Sequence, residues 1–177
     1  MKNKLLLLLF CLSLFTCEKD DICEEGAAVI PKLIVTFYDI NNPNDKKEVS
    51  DMLVFGVDDA NEVVIFSGSS ITTTDSIAFP LRTDSNVSKI VFHKDYAVDD
   101  NDTPDDTSDD FLLGNQDVID FSYVRESVYI SRACGYITNY IELNSNIEAD
   151  TNNWIIDSEI IIPTIENETE AHVKIYH

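Results

Sequence analysis

Residues 32–40 (KLIVTFYDI) alternate Leu33, Val35 and Phe37 against Ile34, Thr36 and Tyr38. This period of two in β-branched and aromatic residues predicts a strand with one buried face. The same pattern recurs at 49–57, 62–66, 76–82, 89–94, 118–124, 127–132, 136–143, 155–162 and 172–176. In 77–81 (IAFPL), Ile77, Phe79 and Leu81 share a face, and Pro80 marks an edge or a bulge. Ile119, Phe121 and Tyr123 face one way, and Val128 and Ile130 do likewise after a turn expected at Arg125-Glu126. No window holds a capped helical stripe. About ten short strands joined by polar turns predict an all-β fold, an antiparallel sandwich of immunoglobulin-like kind, with a β-barrel as the alternative.

Two stretches break the alternation. Residues 5–15 are an uncharged apolar run of 11 behind Lys2 and Lys4. That length is too short for a permanent span and has the form of a cleaved export signal. Residues 95–110 (DYAVDDNDTPDDTSDD) hold eight aspartates between two strands and read as a loop too polar to pack. Calcium is the ion such carboxylates suit, with Asp99, Asp100, Asp102, Asp105 and Asp106 as candidate ligands. The ligand order and central Gly of an EF-hand are missing, so a solvated loop is the alternative.

The end of the apolar run, Leu14-Phe15-Thr16-Cys17, resembles a bacterial lipobox, in which cleavage precedes a cysteine that then carries acyl chains. Thr16 stands where a smaller residue is usual, so an ordinary secretory signal is the competing expectation. Glu18, Lys19, Asp20 and Asp21 resemble the lipoprotein export signal of Bacteroidota, which implies the outer membrane and its cell-surface leaflet, the periplasmic face being the alternative. The expected organisation is a signal peptide over 1–16, a lipidated tether over 17–31 and one sandwich domain over 32–177 with the acidic loop 95–110.

Charge narrows the partners. The chain carries 12 basic and 33 acidic residues, a net charge of −21. Loss of residues 1–16 takes Lys2 and Lys4 with it and leaves −23 over 161 residues. This argues against nucleic acid, which needs basic patches against phosphates, and against flat docking on an anionic leaflet. Membrane attachment is expected to be covalent, through lipid on Cys17, so that the folded part need not touch lipid.

With Cys11 in the signal and Cys17 acylated, Cys23 and Cys134 remain, and an exported pair is most simply a disulfide. It would close a loop of about 110 residues, with roughly 4–5 kcal/mol of stabilisation in the chain-entropy model. A reactive thiol at Cys134 is the alternative, and no histidine lies near it in sequence to serve as base. His93, His172 and His177 show no zinc spacing, and His172 is expected on the solvent side of its strand with Lys174 and Tyr176. No nucleophile elbow or phosphate-cradling loop is present, so no catalytic set is expected. Asp75-Ser76-Ile77 resembles the O-glycosylation triplet of Bacteroidota, which makes Ser76 a candidate modification site.

Pro31, Leu33, Phe37, Tyr38 and Asp39, the segment 132–136 (RACGY), 77–81 (IAFPL) and 172–176 (HVKIY) together resemble small uncharacterised lipoproteins of Bacteroidota. Those proteins carry a cysteine close behind the anchor and an Arg-Ala-Cys-Gly-Tyr signature. The resemblance implies location and fold type, not a reaction. Arg132 in that signature invites a role in gripping a carboxylate ligand, the alternative being a local ion pair beside the disulfide. The functional expectation is a non-catalytic envelope lipoprotein that binds or assists another envelope component, such as an outer-membrane protein. A calcium-modulated adhesion or glycan-binding module is the second reading and an extracellular hydrolase the third.

Overall fold

The computed structural model describes residues 22–24 and 26–177. The expected signal, Cys17 and residues 18–21 lie outside them. Contacts divide the described residues into two compact units, Ile30–Glu126 with Thr138–His177, and Ser127–Ile137 with residues 22–29.

The larger unit is a two-sheet β sandwich with no helix among the described residues. Its first sheet contains β1 (Leu33–Asp39), β2 (Asn42–Lys46), β6 (Ser76–Phe79), β10 (Asp157–Ile160) and β11 (Val173–Tyr176). The order is β10-β11-β1-β2, and β6 pairs with β1 beside β2. The second sheet contains β3 (Val49–Val57), β4 (Val63–Val64), β5 (Thr72–Thr74) and β7 (Val87–Asp99), with β8 (Phe111–Ser131) as far as Glu126 and β9 (Gly135–Ile147) from Thr138. Its order is β4-β3-β7-β8-β9, with β5 also on β3. Because β5 pairs with β3 and β6 with β1, the chain changes sheets at Asp75.

The expected alternation places the core correctly. Leu33, Val35 and Phe37 of β1 and Ile119 and Phe121 of β8 are fully buried, and Tyr123, Phe79 and Leu81 nearly so. Phe37 and Phe79 from one sheet meet Phe92 from the other edge-on at 6.1 and 5.8 Å, and Phe79 lies 6.0 Å from Phe121. Such edge-to-face contacts add to the area the rings bury.

Several expectations need correction. The sandwich is antiparallel except at β1–β11, which run parallel with Val35 opposite Val173 and Phe37 opposite Ile175. The turn expected at Arg125-Glu126 is absent, because both residues lie inside the continuous strand β8 with exposed side chains. Loop 95–110 begins later than its composition suggests. β7 continues to Asp99, pairing Ala97, Val98 and Asp99 with Leu113, Leu112 and Phe111.

That extension needs a bulge and a glycine. Asp95 takes φ +53° where the register between β7 and β8 slips. Opposite it, Gly114 has φ +102°, and a Cβ there would lie 2.6 Å from Asp95 O and 2.8 Å from His93 Nε2. Gly114→Ala is therefore expected to cost about 1–3 kcal/mol through backbone strain and to open the ribbon beyond His93. Urea unfolding and amide exchange at 95–113 check this; an unchanged ribbon contradicts it. Asp51 at φ +40° marks a second bulge, which puts Val49 and Met52, three residues apart, both into the core.

The histidines are internal, and His172 is not on the solvent side. Its Nδ1 accepts the Ile34 N–H at 3.0 Å, and its own N–H donates to Ile34 O at 2.9 Å, so the ring locks residue 172 against β1. His93 donates from Nε2 to Leu113 O at 2.8 Å and accepts from Gln116 Nε2 at Nδ1. His177 donates from Nε2 to Lys47 O at 3.3 Å. Burial holds all three below the usual value of 6.5, so they are neutral in the fold. As pH falls through 6.5 toward those depressed values, the unfolded chain binds protons that the folded one refuses, and stability is lost. His172→Gln is expected to remove up to about 1.4 kcal/mol per pH unit of that slope between pH 7 and 5. Urea midpoints across that range test this; parallel profiles for variant and parent contradict it.

Candidate binding groove

Gly56 in β3 carries no side chain, and the Phe66 ring takes that space: a Cβ at Gly56 would lie 3.2 Å from it. Phe66 stacks on Phe79 with centroids 6.0 Å apart and planes 9° apart. The turn after Phe66 is pinned by Ser69, whose N–H donates to Phe66 O at 3.0 Å and whose hydroxyl donates to Val54 O at 3.0 Å. Gly68 supplies the positive φ, +79°, that this turn requires.

A groove of about 500 Å³ opens between this turn and β6. Phe66, Ile77 and Phe79 form apolar walls, and Ser67, Ser70 and Lys32 offer hydroxyls and an ammonium. On the far side of Phe66 lies a smaller cavity of about 250 Å³ bounded by Val64, Arg82 and Lys89. The chain flanking both is apolar yet exposed: Val63 59%, Val64 44%, Ile65 57% and Ile71 50%.

The floor of this region is fixed from below. Tyr123 donates its hydroxyl to Arg82 O at 2.9 Å and shares a hydrogen bond with Ser88 at 2.7 Å. Tyr140 donates to Leu81 O at 3.2 Å, and burial pushes its hydroxyl up to about 12. The Arg82 guanidinium clamps Asp59 and Asp84 at 2.6 and 3.0 Å, and its hydrogen bonds hold both exposed carboxyls below the usual range. Nothing in the one-dimensional pattern announces these anchors, since their partners lie 41 and 59 residues away.

Two acids elsewhere are perturbed. Asp117, fully buried in β8, accepts the Ile155 N–H at 2.7 Å and so ties the β9–β10 connection to the sheet. Burial pushes its carboxyl up despite that bond. Asp120 is raised the same way and stands near the Lys89–Glu148 ion pair. Neither lines the groove.

The residues singled out by sequence fall into place unevenly. Cys23 and Cys134 form a disulfide with Cα atoms 4.8 Å apart. Arg132 is exposed in the 132–134 turn next to Cys134 and makes no ion pair with a described residue. Ser76 is half-buried in β6 with its hydroxyl donating to Val35 O at 3.2 Å, a bond that glycosylation would break. Asp99, Asp100, Asp102, Asp105 and Asp106 are not gathered into a cation site; among the described residues no three His, Cys, Asp or Glu converge to hold a metal. The loop carboxylates serve their own turns instead: Asp99 accepts from Asn101 N, Asp100 from Asp102 N and Asp106 from Ser108.

No curated protein and no solved structure matches the chain. Residues 51–177 match a family of unknown function, DUF6452. That span includes both walls of the groove at Phe66 and Phe79, the turn at Arg132 and Cys134. The match covers well over half of the sequence, and the chain therefore belongs to the DUF6452 family.

Proposed function

We propose that the chain is an exported lipoprotein, acylated at Cys17 and directed by Glu18–Asp21 to the outer face of the outer membrane. Its sandwich then acts as a non-catalytic binding module that takes an apolar segment of another envelope component into the groove beside Phe66. The observation that carries the binding reading is the apolar-walled groove at Phe66, Ile77 and Phe79, with Val63, Val64, Ile65 and Ile71 left exposed on the chain that leads into and out of its turn, in so acidic a protein. Exposed apolar side chains beside an apolar-walled groove mark interaction sites, and their removal from water supplies about 25 cal/mol per Å². The Ser67 and Ser70 hydroxyls at the rim would set orientation rather than strength.

Photo-crosslinking residues introduced at positions 64 and 71 of the lipoprotein in intact envelopes test this. One discrete adduct is expected from both positions and none from position 46 on β2. Ile71→Asp should reduce the adduct formed at position 64 about tenfold or more, the effect of roughly 1.4 kcal/mol of lost apolar contact. Adducts of equal yield at all three positions, or none at 64 and 71, contradict the groove.

A further inference from the structure

We propose that the end of the β8–β9 hairpin, through Tyr129 and Tyr136, rests in the headgroup region of the bilayer that holds the anchor. This rests on acylation of Cys17 and adds to it a second, non-covalent membrane contact.

Three observations converge on the hairpin end. The first is chemical character. Tyr129 and Tyr136 are 57% and 67% exposed, and their rings meet edge-on at 5.2 Å, forming an aromatic pair presented to solvent. Ile22 and Val29, in the same compact unit, are 73% and 57% exposed. A tyrosine ring with an apolar body and a hydroxyl tip favours the boundary between hydrocarbon and water. Neither ring serves the sandwich core.

The second is charge. Residues 127–137 carry one charged side chain, Arg132, and residues 22–29 of the same unit carry Glu24 and Glu25, whereas Ile30–Glu126 and Thr138–His177 carry 28 acidic and eight basic ones. Phosphate-bearing headgroups repel the acidic segments and accept a hairpin end whose one charge is an exposed guanidinium. A membrane contact made by the hairpin end meets less repulsion than flat docking of the acidic sandwich would.

The third is covalent reach. Cys23 lies six positions after Cys17, a span of at most about 22 Å when fully extended. Cys23 is bonded to Cys134, and their Cα atoms are 4.8 Å apart. The hairpin end is thus held within a short radius of the acylated residue. At that distance a weak interfacial preference acts at an effective concentration of about millimolar.

The test uses the full acylated lipoprotein in phosphatidylethanolamine and phosphatidylcholine vesicles, some lipid being brominated high on the acyl chain. The mass of each sample establishes acylation first. Tyr136→Trp is expected to show emission, after subtraction of native Trp154, that shifts to the blue and is quenched about twofold by the brominated lipid. Lys46→Trp on β2 should show neither change. In parallel, the double variant Tyr129→Ser, Tyr136→Ser should lose the vesicle-dependent protection of amides 127–137 while its exchange without vesicles stays near that of the parent. An indole at position 136 that brominated lipid does not quench in an acylated sample overturns the inference and leaves the lipoprotein reading standing. A mass without acyl chains overturns both. Faster exchange of the double variant to the same degree with and without vesicles also overturns it, since that is what a purely structural tyrosine pair would do.

Discussion

Phe92→Ala is expected to lower the free energy of unfolding by about 3–5 kcal/mol, as much as the truncation of any core side chain. Phe92 is fully buried on β7, in the middle of the larger sheet. Its ring meets Phe37 and Phe79 of the opposite sheet at 6.1 and 5.8 Å, so its loss opens a cavity where the sheets face each other. Its carbonyl also receives the Trp154 indole N–H at 3.3 Å, a bond that registers the β9–β10 connection on β7. The surrounding residues are aromatic rings locked against one another, so the site has little freedom to collapse. Urea unfolding checks this, with Val63→Ala, an exposed residue, as the reference and an expected change within about 0.5 kcal/mol. Equal effects of the two substitutions would mean that the sheets do not depend on this aromatic contact.

Cys134→Ser is expected to be nearly as damaging, by about 2–5 kcal/mol. The bond links residues 111 apart, and closing so long a loop restricts the unfolded chain strongly. It also joins the two segments, residues 22–29 and Ser127–Ile137, that make up the smaller unit. The loss should therefore appear in two places: a lower urea midpoint, and faster exchange or proteolysis at 127–137 before the sandwich core opens. A reduced protein with the same midpoint as the oxidised one would show that the bridge constrains nothing.

Why some of this was legible in the sequence, and some not, has physical causes. β1 and the inward face of β8 are readable because a half-buried strand must alternate, and Leu33, Val35, Phe37, Ile119 and Phe121 do. The Cys23–Cys134 pairing was legible because Cys11 falls in the expected signal and Cys17 under expected acylation, which leaves these two. The bulges were hidden: Val49 and Met52 share the core at a spacing of three because Asp51 adds a residue to its strand. β2 (NPNDK) has no buried side chain and no apolar residue to mark it; backbone pairing with Tyr38 and Asp39 makes it a strand. The parallel partnership of β1 with β11 joins segments almost 140 residues apart, and no local pattern encodes it.

The histidines misled for a related reason. His172 was expected on the solvent side with Lys174 and Tyr176, but Tyr176 is buried as well, and the His172 side chain is claimed by β1, where the Ile34 amide seeks an acceptor and finds imidazole Nδ1. The groove was illegible because it needs Gly56, Phe66 and Phe79 from three separate strands and turns to meet. Its exposed flank, 63–65 and Ile71, looks like ordinary strand sequence, and only the structure reveals that Val63 and Val64 are left uncovered. The aspartate-rich loop erred in its boundary. Asp95 and Asp99 are absorbed by the ribbon through a bulge and a glycine, and Asp99, Asp100 and Asp106 cap turns.

The central claim is that one short segment anchors, addresses and staples this protein. The most direct test is a non-reducing peptide map with intact mass of the mature protein purified from membranes. The account predicts an N-terminal peptide that begins at Cys17, carries the mass of more than one acyl chain, and is linked through Cys23 to the peptide containing Cys134. A mature N-terminus elsewhere with unmodified Cys17, or free thiols at both Cys23 and Cys134, would contradict it.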